Sequence, residues 1–382
     1  MKFLIDENIP FANEFFQDMA TIERFSGRAL SPEQLIDADA LLVRSITKVN
    51  EALLSQANRL KFVGTATIGE DHIDKSLLQE RGIGFSSAPG CNAVSVAEYV
   101  ISAILILAEK YHFNFFDKTI AIVGIGNIGK ALQEKLMALG VNLLLCDPIR
   151  QKNEQESNGN EFVDLKTALT EADIVTLHTP LTRTGQAPTY HLINQSNLEL
   201  LKEDVCLINA CRGEVVDNAA LLEHIRWREK NGRKAIKLVL DVWEDEPNPM
   251  QALLPHVDIA SAHIAGYSLE GKSRGTEMLY QRVCQTFGIE NSKSLASLLP
   301  QSDISKLSID GASNSQALLK KLVHLVYDVR RDDALFRALL NDKGFDWLRK
   351  NYPIRREWSS LQLNVENNLS NSMNFSQLGF AI

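Results

Sequence analysis

Cysteine is scarce in this chain, and the few present follow no pattern. Cys91, Cys146, Cys206, Cys211 and Cys284 make an odd number, with no CxxC pair and no Cys/His zinc spacing. That excludes a disulfide framework and a structural zinc module, and it predicts reduced thiols, no metal and a cytoplasmic protein. Excess positive charge is missing as well. The 40 Lys and Arg stand against 48 Asp and Glu, a formal net charge of −8, which excludes a general nucleic-acid or membrane-surface binder. Long apolar runs are absent. The most apolar stretch, YVISAILILA at 99–108, is too short to span a bilayer and predicts a buried helix. The opening MKFLIDENIP reaches acids by its sixth residue and lacks the apolar core of a signal peptide. Internal repeats are absent too.

What remains is the composition of a globular protein, 45% hydrophobic and 23% charged, in a chain of 382 residues that suggests two or three domains. Short apolar runs at 2–6, 40–45, 60–66 and 83–89 read as strands separated by helical patterns. A long apolar helix is expected at 93–110. Strands then recur at 118–123, 141–148, 172–180, 205–212, 237–243 and 257–263, in the alternation of a parallel, doubly wound sheet. The polar stretch 151–160 (QKNEQESNGN) reads as a surface loop. After a polar linker at 291–303, residues 314–340 carry an amphipathic helical pattern, followed by a tail with Trp347, Tyr352 and Trp358. This predicts a small α+β appendage whose helical face serves as a subunit contact.

Three segments carry chemistry. Gly124-Ile125-Gly126-Asn127-Ile128-Gly129 follows an apolar strand and opens a helix, the setting in which GxGxxG cradles a pyrophosphate. The first glycine allows the tight turn, the second the close approach of the phosphates, and the third the packing of helix on strand. Asp147, 18 residues after Gly129, is placed to accept bonds from the adenine ribose and to repel a 2′-phosphate, which favours NAD over NADP. The alternative is a glycine turn in a nucleotide-free domain. Ligands of such sheets bind outside the carboxyl ends of the strands, here at 178–180, 210–213 and 261–267.

LINACRGEVVD (207–217) ends an apolar run on Arg212, a charge that is costly to bury without a partner. A planar guanidinium matches the two oxygens of a carboxylate. His263, in SAHIAGY (261–267), is a natural base for a hydroxyl proton. Glu246, 17 residues earlier in DVWEDEP (241–247), is suited to fix its tautomer. Taken singly, His263 could be a structural residue, Glu246 a solvated acid and Arg212 the partner of a buried Asp. The combination on one nucleotide-binding sheet favours a hydride-transfer site for a hydroxy acid.

Over about residues 1–285 the chain resembles the D-isomer-specific 2-hydroxy acid dehydrogenases, on GIGNIG, NACRGEVVD, DVWEDEP and SAHIAG. The resemblance implies Arg212, Glu246 and His263 as the catalytic three. It also implies NAD on Gly124, Gly126, Asn127, Ile128, Gly129, Asp147, Thr179, Asp241 and Gly266. Within that family, DENIP (6–10), VRSITKVN (43–50), FVGTATIGEDHID (62–74), APGCNAVSVAEYV (88–100) and HIAGYSLEGKSRGT (263–276) resemble members acting on a phosphorylated acid. They imply 4-phospho-D-erythronate as substrate, with Ser45, Thr67 and Tyr267 as its contacts. Arg44 and Lys48 are candidates for its phosphate, Lys48 alternatively being a solvated lysine. Any of the hydroxyls could instead cap a backbone group, and the loop N–H groups of GTATIG could take a carboxylate.

The implied architecture is a Rossmann-type NAD-binding domain at 94–265 and a discontinuous flavodoxin-like substrate domain at 1–93 and 266–286. The resemblance also implies a C-terminal α+β dimerisation domain at 290–382 and with it a homodimer. Closure of the substrate domain on the nucleotide domain is expected to exclude water. Two other functions remain open: a dehydrogenase of another 2-hydroxy acid such as 3-phosphoglycerate, and a non-catalytic NAD(H)-sensing binding protein on the same fold.

Overall fold

The computed structural model describes residues 1–154, 162–309, 315–365 and 373–382. The chain forms two compact units, one of residues 1–92 and 267–301, the other of residues 93–266 and 302–382.

The first unit is built on five parallel strands: β1 (Lys2–Asp6), β2 (Thr21–Phe25), β3 (Ala40–Val43), β4 (Phe62–Thr65) and β5 (Gly84–Ser86), in the order β2-β1-β3-β4-β5. Successive side chains of a strand point to opposite faces. Phe3, Ile5, Ala40, Leu42 and Phe62 therefore pack on one side, against Leu279, Tyr280 and Val283 of the helix Leu269–Phe287. Leu4, Leu41, Val43 and Val63 pack on the other, with Leu35, Leu54 and Leu78. Burial on both faces explains why these strands read as unbroken apolar runs. β2 was not expected from the sequence, where 7–39 reads as helical. Its residues TIERF lie at the sheet edge, mostly half-exposed and carrying Glu23 and Arg24, so they lack an apolar signature.

The second unit holds six parallel strands: β6 (Thr119–Val123), β7 (Asn142–Cys146), β8 (Ile174–Leu177), β9 (Cys206–Asn209), β10 (Lys237–Leu240) and β11 (Ile259–Ala260), ordered β11-β10-β9-β8-β6-β7. The order reverses between β6 and β8, the point at which a doubly wound sheet binds dinucleotides. The helix Ala93–Lys110 is buried almost all round because it is covered by the helices Asn127–Ala138 and Gln316–Val326. No described helix is long and apolar enough to cross a membrane.

The sequence-based loop at 151–160 needs correction in its first part. A helix, Pro148–Glu154, runs through residues 151–154, and the remainder of that stretch lies outside the described residues. Asp147 initiates this helix by accepting the Arg150 N–H at 3.0 Å, a capping signal that the polar composition masks.

Residues 302–382 supply a two-stranded parallel sheet, β12 (Lys306–Ile309) and β13 (Gln362–Val365), with the helices Gln316–Val326, Arg330–Lys343 and Phe345–Lys350. The amphipathic stretch is thus two helices broken at 327–329, and its residue 314 lies outside the described residues. Phe336, Leu340, Phe345 and Leu348 enter the same apolar core as Trp243, Leu253 and Ala262. The C-terminal segment therefore completes the nucleotide-binding unit's core.

Candidate active site

The second unit gathers its chemistry at the carboxyl ends of β6, β9, β10 and β11. At the end of β6, Gly124 takes φ +93°, and a Cβ there would press on the His178 carbonyl at 2.7 Å. A Cβ on Gly129 would overlap the Gly124 carbonyl, which accounts for the third glycine as helix–strand packing. Around Gly126 the ground is open, with no atom within 4 Å of where a Cβ would lie. The helix Asn127–Ala138 starts there without a side-chain cap, leaving its leading N–H groups for an anion. The turn thus fits a dinucleotide pyrophosphate. Asp147 is half-buried, and by accepting the Ile125 N–H at 2.9 Å it braces the glycine turn. Thr179 is half-buried with its hydroxyl 4.0 Å from the Cys211 sulfur.

β9 ends at Asn209, whose side chain ties the following turn by donating to the Arg212 carbonyl at 2.9 Å and accepting the Cys211 N–H at 3.2 Å. Arg212 emerges half-buried, with one guanidinium nitrogen donating to the Cys211 carbonyl at 2.7 Å. Gly213 follows for a reason the sequence did not reveal. Its φ is ordinary, but a Cβ would collide with the backbone at Trp243 and Glu244. The absent side chain lets the Arg212 turn press against DVWEDEP, the segment that carries Glu246.

Glu246 then joins the two loops. One carboxylate oxygen accepts the Trp243 N–H at 3.0 Å and the other lies 2.8 Å from His263 Nδ1. Burial pushes its carboxyl up, but the charge and hydrogen bond of His263 and the Trp243 N–H outweigh this and hold it below the usual carboxylate range. With Nδ1–H engaged by Glu246, His263 Nε2 is the nitrogen left to accept a proton.

His263 itself stands at φ +55°, a left-handed conformation that costs a non-glycine residue energy and persists only where its surroundings hold it. Asp241 is what holds it. Its carbonyl accepts the His263 N–H at 2.6 Å. Its carboxylate accepts the Ser261 hydroxyl at 2.6 Å, the Ile264 N–H at 2.8 Å and the Ala265 N–H at 2.9 Å. Burial pushes this carboxyl above its usual range, with His263, Ser261 and the loop N–H groups pulling the other way. Asp241 is 1% exposed, so its side chain works beneath the loop as a backbone staple. Gly266, half-buried, closes that loop.

Further support was invisible to sequence reasoning because it comes from far along the chain. Trp243 donates its indole N–H to the Ser261 carbonyl at 2.8 Å and stacks on Phe336, with ring centres 5.4 Å apart. Tyr99 bonds Ser261 at 2.8 Å. Arg355, fully buried over the Tyr327 ring, donates to the Ala265 carbonyl at 2.9 Å. His178 was also passed over. It bonds Thr176 through Nε2, its Nδ1 is buried without a partner among the described residues, and burial pulls its pKa down to about 3. One metal-capable group lies elsewhere among the described residues, His191 with Asp217 and Glu244. Hydrogen bonds account for it: His191 bonds Glu244 at 2.6 Å, Asp217 caps the helix Asn218–Lys230, and Glu244 accepts the Asn218 N–H.

The remaining candidates belong to the first unit. Ser45 is exposed just beyond β3, and Lys48 is exposed in the same turn. Thr67 has its hydroxyl bonded to Thr65 at 2.7 Å and donating to the Gly69 carbonyl at 3.1 Å, so it also organises its own loop. Arg44 lies over the Tyr267 ring, 5.2 Å from its centre.

A family model described as "D-isomer specific 2-hydroxyacid dehydrogenase, NAD binding domain" matches residues 107–265, and one described as a domain of unknown function matches residues 298–379. Erythronate-4-phosphate dehydrogenase of Tolumonas auensis is 49% identical over 383 residues, covering 100% of this chain and 99% of its own. The enzyme of that name from Proteus mirabilis is 51% identical over 381 residues, with 100% and 99% covered. Among solved structures, D-lactate dehydrogenase from Aquifex aeolicus, complexed with NAD and lactic acid, matches with a TM-score of 0.60 and 26% identity over 75% of this chain and 96% of that one. The NAD-bound 3-phosphoglycerate dehydrogenase of Entamoeba histolytica matches with a TM-score of 0.63 over 75% and 95%, but at 22% identity this likeness speaks for the fold alone.

Proposed function

The chain belongs to the erythronate-4-phosphate dehydrogenases, within the D-isomer specific 2-hydroxyacid dehydrogenases, and from that premise we propose that it oxidises 4-phospho-D-erythronate to (R)-3-hydroxy-2-oxo-4-phosphobutanoate, a step toward pyridoxal 5′-phosphate. It is an NAD-dependent oxidoreductase. The observation that carries the catalytic reading is the 2.8 Å contact between His263 Nδ1 and Glu246, on a loop held in a strained conformation by Asp241. Bound NAD supplies the acceptor for the two electrons that leave C2 with its hydrogen. Arg212 pairs with the C1 carboxylate and fixes how the C2 hydroxyl presents itself. His263 accepts the hydroxyl proton on Nε2, and Glu246 stabilises the resulting imidazolium through Nδ1–H.

NAD is assigned to the glycine turn, Asp147, Thr179 and the Asp241–Gly266 loop, where Asp241 acts by shaping the backbone. Ser45, Thr67 and Tyr267, with Arg44, are assigned to the substrate. Full-length identity near one half to erythronate-4-phosphate dehydrogenases favours this substrate over 3-phosphoglycerate. Five free, buried cysteines fit a reducing, cytoplasmic setting. A homodimer through the C-terminal segment fits the apolar side chains exposed there, Leu325, Trp347 and Ile354; light scattering showing a monomer would remove that assignment.

His263→Ala tests the catalytic reading. Turnover is expected to fall by about 10²- to 10⁴-fold, the worth of a general base, with NADH affinity nearly intact. Equal loss of both would make His263 a folding residue.

A further inference from the structure

We propose that Arg44 and Lys272, gathered about the ring of Tyr267, form the subsite that holds the substrate's terminal phosphate. This rests on the reading of the substrate as 4-phospho-D-erythronate and adds a residue, Lys272, that neither motif nor family resemblance singled out.

The topology places Arg44. The strand order β2-β1-β3-β4-β5 reverses direction between β1 and β3, and parallel sheets bind ligands outside the carboxyl ends at such a reversal. Arg44 is the first residue beyond β3. Its backbone is fixed in a turn, with its carbonyl accepting the Thr47 N–H at 3.1 Å and the Thr47 hydroxyl anchored on the Gly27 carbonyl at 2.8 Å. Its guanidinium carbon lies 5.2 Å from the centre of the Tyr267 ring, and the Lys272 ammonium lies 5.7 Å from the same centre.

Lys272 is an awkward residue for the fold to keep there. It stands in the first turn of the helix Leu269–Phe287, which Ser268 caps by accepting the Gly271 N–H at 2.8 Å. That end of a helix carries positive partial charge, so a cation there is disfavoured and an anion favoured. Burial lowers the pKa of Lys272, and the nearby Arg44 lowers it further against a smaller opposite effect of Tyr267. Among the described residues no carboxylate pairs with either cation. A helix N-terminus, a desolvated ammonium and a neighbouring guanidinium all oppose one another unless an anion joins them. A phosphate dianion answers all three, with the guanidinium offering a planar fork and the ammonium a point charge.

The test uses the full-length protein and kcat/KM for 4-phospho-D-erythronate relative to unphosphorylated D-erythronate. Lys272→Met and Arg44→Met should each lower that ratio by about 10- to 100-fold, the worth of one charge-assisted hydrogen bond. Lys272→Arg should retain more of it than Lys272→Met. A circular-dichroism spectrum and a cooperative thermal transition like those of wild type certify that the variants are folded. An unchanged ratio overturns the proposal, and so does an equal fall for both substrates, which would assign the pair to the carboxylate. If the wild type turns over neither substrate, the reading of the reaction fails while the subsite is still decided by calorimetry. Inorganic phosphate should then bind wild type and not Lys272→Met, and equal binding to both overturns the pair.

Discussion

Replacing Glu246 by Gln exchanges one carboxylate oxygen for an amide NH₂ and should cost most of the activity. In the native protein one carboxylate oxygen accepts the Trp243 N–H and the other accepts His263 Nδ1–H, at 3.0 and 2.8 Å. A glutamine has a single oxygen to offer. Trp243 is buried, and its N–H cannot be left unpaired without a penalty of about 1–3 kcal/mol. The amide oxygen therefore turns to Trp243, and the amide NH₂ faces His263. The imidazole must then present Nδ1 as an acceptor and carry its proton on Nε2, the nitrogen that should receive the substrate's proton. The variant also loses the charge that stabilises the imidazolium. Together these remove the general base, an expected fall in kcat of about 10²- to 10⁴-fold, or roughly 3–5 kcal/mol of barrier, with KM little changed. Initial rates of NADH formation under saturating substrate measure this directly. Stability provides an independent sign. Because the folded Glu246 carboxyl lies below its ordinary range, its stabilising contribution is present above the unfolded value near about 4 and is lost as pH falls through the folded one. The Tm values of wild type and variant should therefore differ at neutral pH and converge in acid. A kcat within threefold of wild type would refute the relay.

Other substitutions probe the scaffold beneath the site. Gly213→Ala sets a methyl group against the Trp243–Glu244 backbone and should cost about 3 kcal/mol of stability; a Tm equal to wild type would show that the two loops are not in contact. Asp241→Asn replaces one of the two acceptor oxygens that staple residues 261–265 with an NH₂ set against an N–H donor and should lower kcat and thermal stability together; intact kinetics would deny the staple. His178 is held neutral, with its pKa at about 3, so the unfolded chain binds the extra proton between about pH 6.5 and 3 and stability falls as pH drops through that window. His178→Gln should flatten this part of the Tm–pH profile, and an unaltered profile would place the titration elsewhere.

Much of the fold is legible in the sequence because a parallel sheet buried on both faces must be written in continuous apolar runs. β1 and the helix Ala93–Lys110 coincide with their expected bounds. β2 escapes because an edge strand has one wet side and can carry Glu23 and Arg24. The helix Pro148–Glu154 escapes because its start is marked by a cap, Asp147, whose other bond goes to the glycine turn. The site divides in the same way. Arg212 and His263 stand out as polar residues just beyond apolar strands, and Glu246 as an acid in the loop that follows one. The grip on them does not, because it is made by contacts between distant segments: Gly213 against Trp243, Asp241 under Ala265, Phe336 on Trp243, and Arg355 on the Ala265 carbonyl. Lys272 is hidden for a related reason. A lysine in a helix reads as solvated until the fold sets it over the same ring as Arg44.

The central claim is a phosphorylated four-carbon 2-hydroxy acid oxidised with NAD. It is tested most directly by initial rates of NADH formation with 4-phospho-D-erythronate, 3-phosphoglycerate and D-lactate, compared as kcat/KM. The account predicts that 4-phospho-D-erythronate exceeds both others, D-lactate by at least about 10-fold, the least that one charge-assisted contact to its phosphate is worth. Preference for 3-phosphoglycerate or D-lactate, or NADH binding with no turnover of any of the three, would contradict it.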